Sequence, residues 1–307
     1  MSANAALMSH SAAISNLLTP FMLESGHVRG RVVRLGEVAA TILSRYDYPA
    51  PVRRMLGELV IVAGMLSSNL KHAGIFTIQI RGNGLVPLVV VDAVYGGAIR
   101  GYADVSPEAA QAIAALDDTS PRALVGAGAY LAITFDPGAD MQRYQGIVEL
   151  TGESIAQALG HYFTLSEQLD VEVCLAVSDA APWAAAGLIV ERMPEASAAV
   201  ADENMDAWRY AKALLATVKR EELLDPLLDA PALLYRLFHE GGVRVYDAHT
   251  LSVGCRCSRE RISGLLLGMP LTDRADMIVD GAASVHCQFC NKAEIFTPSE
   301  LGLAGVQ

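Results

Sequence analysis

Apolar positions along the chain change their period several times, and each change marks an element. Over residues 52–70 they recur at helical spacing, and Pro51 stands where a first turn tolerates its missing N–H, so a helix is predicted. Residues 76–81 and 85–91 read as strands. Gly82-Asn83-Gly84 between them tolerates positive φ and predicts a hairpin turn. A third strand over 99–105 extends this into an antiparallel meander. Residues 130–135 and 144–150 form another strand pair across Asp136-Pro137-Gly138. Thr151 is placed to cap a helix running to Gln168, and 171–177 returns as a strand. An antiparallel sheet with segregated helices is an α+β pattern.

The pattern changes after Pro194. Residues 196–202 are small and polar-to-neutral, which marks a boundary, and 204–240 is helical throughout. Trp208, Ala211, Leu215 and Val218 share one face. Two shorter leucine-rich helices follow, interrupted by Pro226 and Pro231 and ended by Gly241-Gly242. Such a segment must lie against something. The chain thus divides into an α+β core domain (1–198), a helical linker (199–250) and a small cysteine-bearing C-terminal domain (251–307).

Composition narrows the class. Of 307 residues, 52% are hydrophobic and 19% charged, which suits a globular rather than a disordered chain. A formal charge of -11 argues against a dedicated nucleic-acid binder. One basic cluster, Arg29, Arg31, Arg34, Arg45, Arg53 and Arg54, lacks interleaved aromatic residues and is expected to be a solvated or dimer-facing surface. No basic n-region precedes Arg29, and the apolar run 86–91 is too short to span a bilayer. A soluble, cytoplasmic protein is expected. Five cysteines in a reducing compartment point to metal or redox chemistry.

Four of the five stand as Cys255-x-Cys257 and Cys287-x-x-Cys290. In extended backbone, residues i and i+2 share a face, so Cys255 and Cys257 can grip one ion together. A Cys-x-x-Cys knuckle does the same from the other side, and four thiolates close a tetrahedral zinc site with one ion per chain. Ser258 can cap a helix through Gly268 between the pairs. Such a site can be an inert staple. It can also be a switch, because metal-bound thiolates are what oxidants attack and so small a tail depends on its ion. Cys174 is expected in the apolar core, and His286 is a ligand the four sulfurs make unnecessary. Asp92, Asp104, Glu149 and Glu153 are expected on a solvated face with no acid–base pair among them. Gly82 and Gly84 form no phosphate loop, and no catalytic triad pattern is present, so the protein is not read as an enzyme.

The tail motifs Cys255-x-Cys257-Ser258-Arg259-Glu260-Arg261, residues 277–281 and Cys287-x-x-Cys290-Asn291 resemble the heat shock protein 33 family of redox-regulated holdase chaperones. Further likeness lies in Leu234-x-x-Leu237-Phe238-His239-Glu240, Tyr162-Phe163-x-x-Ser166-Glu167-Gln168, Tyr144-Gln145-Gly146, Arg100-Gly101-Tyr102 and residues 71–84. It covers about 21–300. Three residues depart from the family pattern: Glu294 replaces an aromatic residue, Leu85 a proline and Glu191 a glutamine.

The resemblance implies an ATP-independent chaperone that is idle when reduced and zinc-bound. Oxidation of Cys255, Cys257, Cys287 and Cys290 to two disulfides would release zinc, unfold the tail and linker, and yield an active homodimer that holds unfolded or partially folded clients. Neither a nucleic acid nor a membrane is an expected partner. Four cysteines allow three connectivities. Closure of Cys287 to Cys290 is expected first, because extended residues i and i+2 stand near the upper Cα limit of about 6.8 Å for a disulfide. Two other readings are a constitutively folded, zinc-stapled interaction protein without redox-triggered activity, and a thiol oxidoreductase using Cys287 and Cys290.

Overall fold

The computed structural model describes residues 14–68, 70, 74–138, 142–194 and 201–303. The chain forms two compact units, Met1–Ser252 and Val253–Gln307. In the first unit, β1 (Leu17–Leu23), β2 (Val28–Leu35), β8 (Val171–Val177), β9 (Ala185–Arg192) and β10 (Val243–Val245) make an antiparallel sheet in the order β10-β1-β2-β9-β8. The two-residue β11 (His249–Thr250) also pairs with β1. The predicted meander is a second sheet. It runs β5 (Ala98–Asp104), β4 (Leu88–Val94), β3 (Ile75–Arg81), β6 (Tyr130–Asp136), β7 (Tyr144–Glu149). These sheets and their helices are the expected α+β class.

The shorter helices that precede residue 195 in this unit are α1 (Glu37–Leu43), α3 (Pro107–Ala114), α4 (Pro121–Val125) and α5 (Ile155–Tyr162). Its longest, α2 (Ala50–Ser67), carries Pro51 in its first turn as anticipated and packs against strands of both sheets. Buried residues lie all around it, the mark of a helix enclosed in a core. Gly57 permits the approach of β8, since a Cβ there would stand 2.8 Å from Val177.

Several expectations need correction. The link between β3 and β4 is longer than a tight hairpin, because β4 begins at Leu88. Gly82 and Gly84 serve a close approach of main chains, with no positive φ. A Cβ on Gly82 would lie 2.0 Å from the Val125 carbonyl oxygen, and Gly84 N–H donates to that oxygen at 2.7 Å. Ser154, not Thr151, caps α5, because Gly152 at φ 85 turns the chain between them. The helix then widens into a π-helical turn, Phe163–Glu167, and stops at Gln168 with φ 55.

The basic cluster is not simply a solvated surface. Arg31 and Arg34 are 8% and 5% exposed. Arg29 and Arg31 both pair with buried Glu191, which stands opposite Arg29 in the β2–β9 ladder. The departure at Glu191 thus supplies the counter-charge these arginines need. Asp92 is likewise buried, held by Thr77 at 2.7 Å and Arg100 at 2.6 Å.

The expected boundary falls largely on 195–200, outside the described residues. The helical segment is α6 (Ala201–Leu215), α7 (Arg220–Leu224) and α8 (Ala230–Phe238), with Pro231 starting α8 rather than breaking it. Together these helices cover the face of the first sheet opposite α2. Trp208, Ala211, Leu215, Leu223, Leu234 and Phe238 pack on Phe21, Val28, Val32, Leu188 and Val190, and the Phe21 and Phe238 rings stack at 5.7 Å. Cys174 sits half-buried at the margin of this cluster, less enclosed than anticipated. No helix among the described residues is long and apolar enough to cross a membrane.

The second unit holds α9 (Arg259–Leu267), α10 (Leu271–Asp276) and a two-stranded ribbon of Ala283–His286 with Ala293–Phe296. Ser258 caps α9 as expected, accepting from the Arg261 N–H at 3.2 Å. Its core consists of Leu266, Ala283, Phe296, Leu301 and Leu303, too few apolar residues to hold a unit of this size unaided.

Candidate metal centre

Both cysteine pairs owe their places to neighbouring turns. Cys255 and Cys257 occupy the irregular stretch just before Ser258 opens α9. Cys287 and Cys290 form the turn of the ribbon. There the Cys287 N–H donates to the Lys292 carbonyl at 3.0 Å, and the Asn291 N–H donates to the Cys287 carbonyl at 2.7 Å. Asn291, at φ 56, is a residue type that accepts the left-handed conformation.

The four sulfurs converge. All lie within 4.8 Å of one another, with Cys257 Sγ 3.3 Å from Cys290 Sγ and Cys255 Sγ 3.6 Å from Cys287 Sγ. A tetrahedron built on zinc–sulfur bonds of about 2.3 Å has edges near 3.8 Å, so the donor set and its spacing fit one such ion. All four thiols are free and half-buried. Burial opposes the Cys255 thiolate, yet hydrogen bonds from Cys257, Cys287 and Cys290 bring it down to about 6, while Cys257 is pushed up. His286 is exposed and stands outside the cluster. Burial also pushes the Cys174 thiol up, and Cys174 takes no part in the centre.

A brace that the cysteine spacing does not reveal supports the ribbon. Arg259, the first residue of α9, lies over the Phe296 ring at 4.4 Å and pairs with Glu294 at 3.2 Å and Glu300 at 2.6 Å. Lys292 pairs with the other oxygen of Glu294 at 2.6 Å. An ion-paired carboxylate therefore fills the place where the family pattern has an aromatic residue. The only hint in the sequence is the opposite charge of Arg259 and Glu294. Of the other carboxylates singled out in the sequence, Asp104 accepts from the Tyr102 hydroxyl at 3.2 Å, while Glu149 and Glu153 are exposed.

The whole chain, core and tail together, is similar to known chaperones. A 33 kDa chaperonin of Caulobacter vibrioides is 37% identical over 286 residues, covering 91% of this chain and 94% of that protein. A 33 kDa chaperonin of Neisseria meningitidis serogroup A is 37% identical over 290 residues, covering 94% and 90%. The crystal structure of the 33 kDa chaperonin from Thermotoga maritima matches with a TM-score of 0.74 over 94% of this chain and 97% of that one. At 22% identity it speaks for the fold. The family model described as Hsp33 protein matches residues 16–297, and the chain belongs to the Hsp33 family of chaperones.

Proposed function

We propose that this chain is a redox-switched, ATP-independent holdase, idle while reduced and zinc-bound. Oxidation of Cys255, Cys257, Cys287 and Cys290 to two disulfides turns it on. The observation that carries this reading is a four-thiol cluster in the same chain as a leucine-rich helical layer laid over an apolar sheet face. A zinc ion held by the four sulfurs keeps them as thiolates and supplies the cohesion that the tail's small core lacks. Each disulfide begins when peroxide oxidises one sulfur to a sulfenic acid, which a second thiolate then attacks. Two electrons pass to the peroxide O–O bond, both oxygens leave as water, and two bridges consume two equivalents.

The expected bridges join Cys287 to Cys290 first and Cys255 to Cys257 second. Sulfurs of different pairs also lie close, at 3.3 and 3.6 Å, so alkylation and peptide mass spectrometry of the one-disulfide species decides the order. With its sulfurs paired, the tail has lost its organising centre and unfolds. A short stretch, residues 239–252, links α8 to the tail in the chain, and loss of structure passes along it to the helical layer. Its departure bares Phe21, Val28, Val32, Leu188 and Val190, an apolar face of the kind that binds unfolded protein. The charge of -11 keeps such a sticky species in solution, and a homodimer is its active form. A reducing cytoplasm keeps the switch off until an oxidant arrives. Light scattering of an aggregating client tests the reading: peroxide-treated protein should suppress it and reduced protein should not. Equal suppression by both would refute the switch.

A further inference from the structure

Arg34 projects from the face of β2 that receives α6–α8, and it is buried there with 5% of its surface exposed. Its ladder neighbours are Leu17 of β1 and Ala186 of β9. From this position the guanidinium donates through Nη1 to the Leu228 carbonyl and through Nη2 to the Asp225 carbonyl. Those carbonyls bound the tight turn between α7 and α8. In that turn the Leu228 N–H returns to the Asp225 carbonyl at 3.3 Å, and the Leu227 N–H donates to Asp225 Oδ1 at 2.9 Å. Asp225 is also the C-terminal cap of α7, and Leu228 directly precedes Asp229, the N-terminal cap of α8, so the cation ties the end of one helix to the start of the next.

Burial pulls Arg34 below the usual arginine range, and the charges of Asp225 and Asp229 work against that pull. Its Nε has no partner among the described residues. An arginine held this way stabilises its site only while both carbonyls stay in place, because a buried guanidinium without acceptors is unfavourable. An apolar residue would stabilise docking over a wider range of geometries.

We propose that Arg34 is the latch of the helical layer, a positioning residue whose two bonds fix the α7–α8 turn on the sheet and set how readily α6–α8 leaves. The proposal rests on the reading that this layer leaves on oxidation. It assigns that departure a specific point of release.

The test uses full-length, reduced, zinc-loaded protein as wild type, Arg34→Met and Arg34→Lys. In Arg34→Met, amide exchange over 220–238 should quicken by about 10- to 100-fold, as expected for loss of charge-assisted hydrogen bonds, with β3–β6 unchanged. Arg34→Lys, which keeps the charge but lacks the fork, should fall between. The peroxide dose for half-maximal client holding should drop in the same order. Unchanged or slower exchange over 220–238 in Arg34→Met overturns the latch, since it would mean that the apolar contacts alone hold the turn. Should Arg34→Met fail to fold, exchange in reduced Arg34→Lys decides: faster than wild type supports the latch, equal to it overturns the latch. If wild type keeps 201–238 protected after oxidation, the proposed function fails, and the reduced-state result still decides the role of Arg34.

Discussion

α2 lies on one face of the first sheet and α6–α8 on the other, and the two layers are attached by different physics. α2 is enclosed between two sheets and meets them through aliphatic side chains such as Leu56, Leu59, Ile61 and Met65. The α6–α8 layer buries only one side, leaving Leu227 83% and Tyr235 66% exposed. Part of its attachment is polar and sensitive to geometry. The Asn204 side-chain amide donates to the Met193 carbonyl at 2.9 Å, Arg220 holds the Val177 carbonyl and Asp179, and Arg34 holds two carbonyls of the α7–α8 turn. Aliphatic burial resists water at every stage of opening, whereas charge-assisted hydrogen bonds hold only while their geometry is kept. One sheet can therefore carry a permanent layer and a releasable one.

The largest effect should come from the tail, whose structure depends on its four sulfurs. A structural zinc site is worth about 10–16 kcal/mol in small zinc-finger peptides at neutral pH, so chelation or Cys290→Ser should unfold the tail outright. Heteronuclear NMR should show residues 253–303 collapsing to random-coil shifts while α2 and the second sheet keep theirs. Zinc in the reduced protein should have sulfur alone in its first shell by X-ray absorption.

Matched cavities come next. Leu59→Ala in α2 and Leu234→Ala in α8 each remove a buried side chain, a change that costs about 2–5 kcal/mol where the surroundings cannot collapse. Leu59→Ala should lower the melting temperature of the whole first unit. Leu234→Ala should speed amide exchange over 201–238 and leave the melting of the sheets nearly unchanged. Equal effects on both transitions would erase the distinction between the layers.

A pH dependence sharpens the same contrast. Burial raises Glu58 of α2 to about 7, although Arg54 and Arg220 pull the other way. Because its folded value lies above the ordinary 4.5, the stability it contributes is full below pH 4.5 and is lost as pH rises through about 7. The span corresponds to on the order of 3 kcal/mol, and Glu58→Gln should flatten it in urea titrations between pH 5 and 8. The smallest effect belongs to Cys174→Ser, which should leave zinc content at one per chain.

The strands, the long helix and the four-cysteine cluster are legible in the sequence because each rests on local rules. Alternation marks β3 and β8, proline marks the start of α2, and metal-ligand spacing marks the tail. What stayed hidden depends on distant partners. Nothing near Arg31 announces Glu191 across the ladder, so the arginines of β2 read as a surface. Gly82 and Gly84 read as a turn because the main chain around Val125 that presses on them lies some forty residues on. The Arg259–Glu294–Lys292 brace likewise joins residues that only the fold brings together.

Amide exchange compared between reduced, zinc-bound protein and peroxide-oxidised protein tests the central claim most directly. Protection across 201–238 and the tail should fall together on oxidation, while α2 and β3–β6 remain protected. Persistent protection over Trp208 to Leu228 after the zinc has gone would contradict the account, because the sheet face meant to hold clients would still be covered.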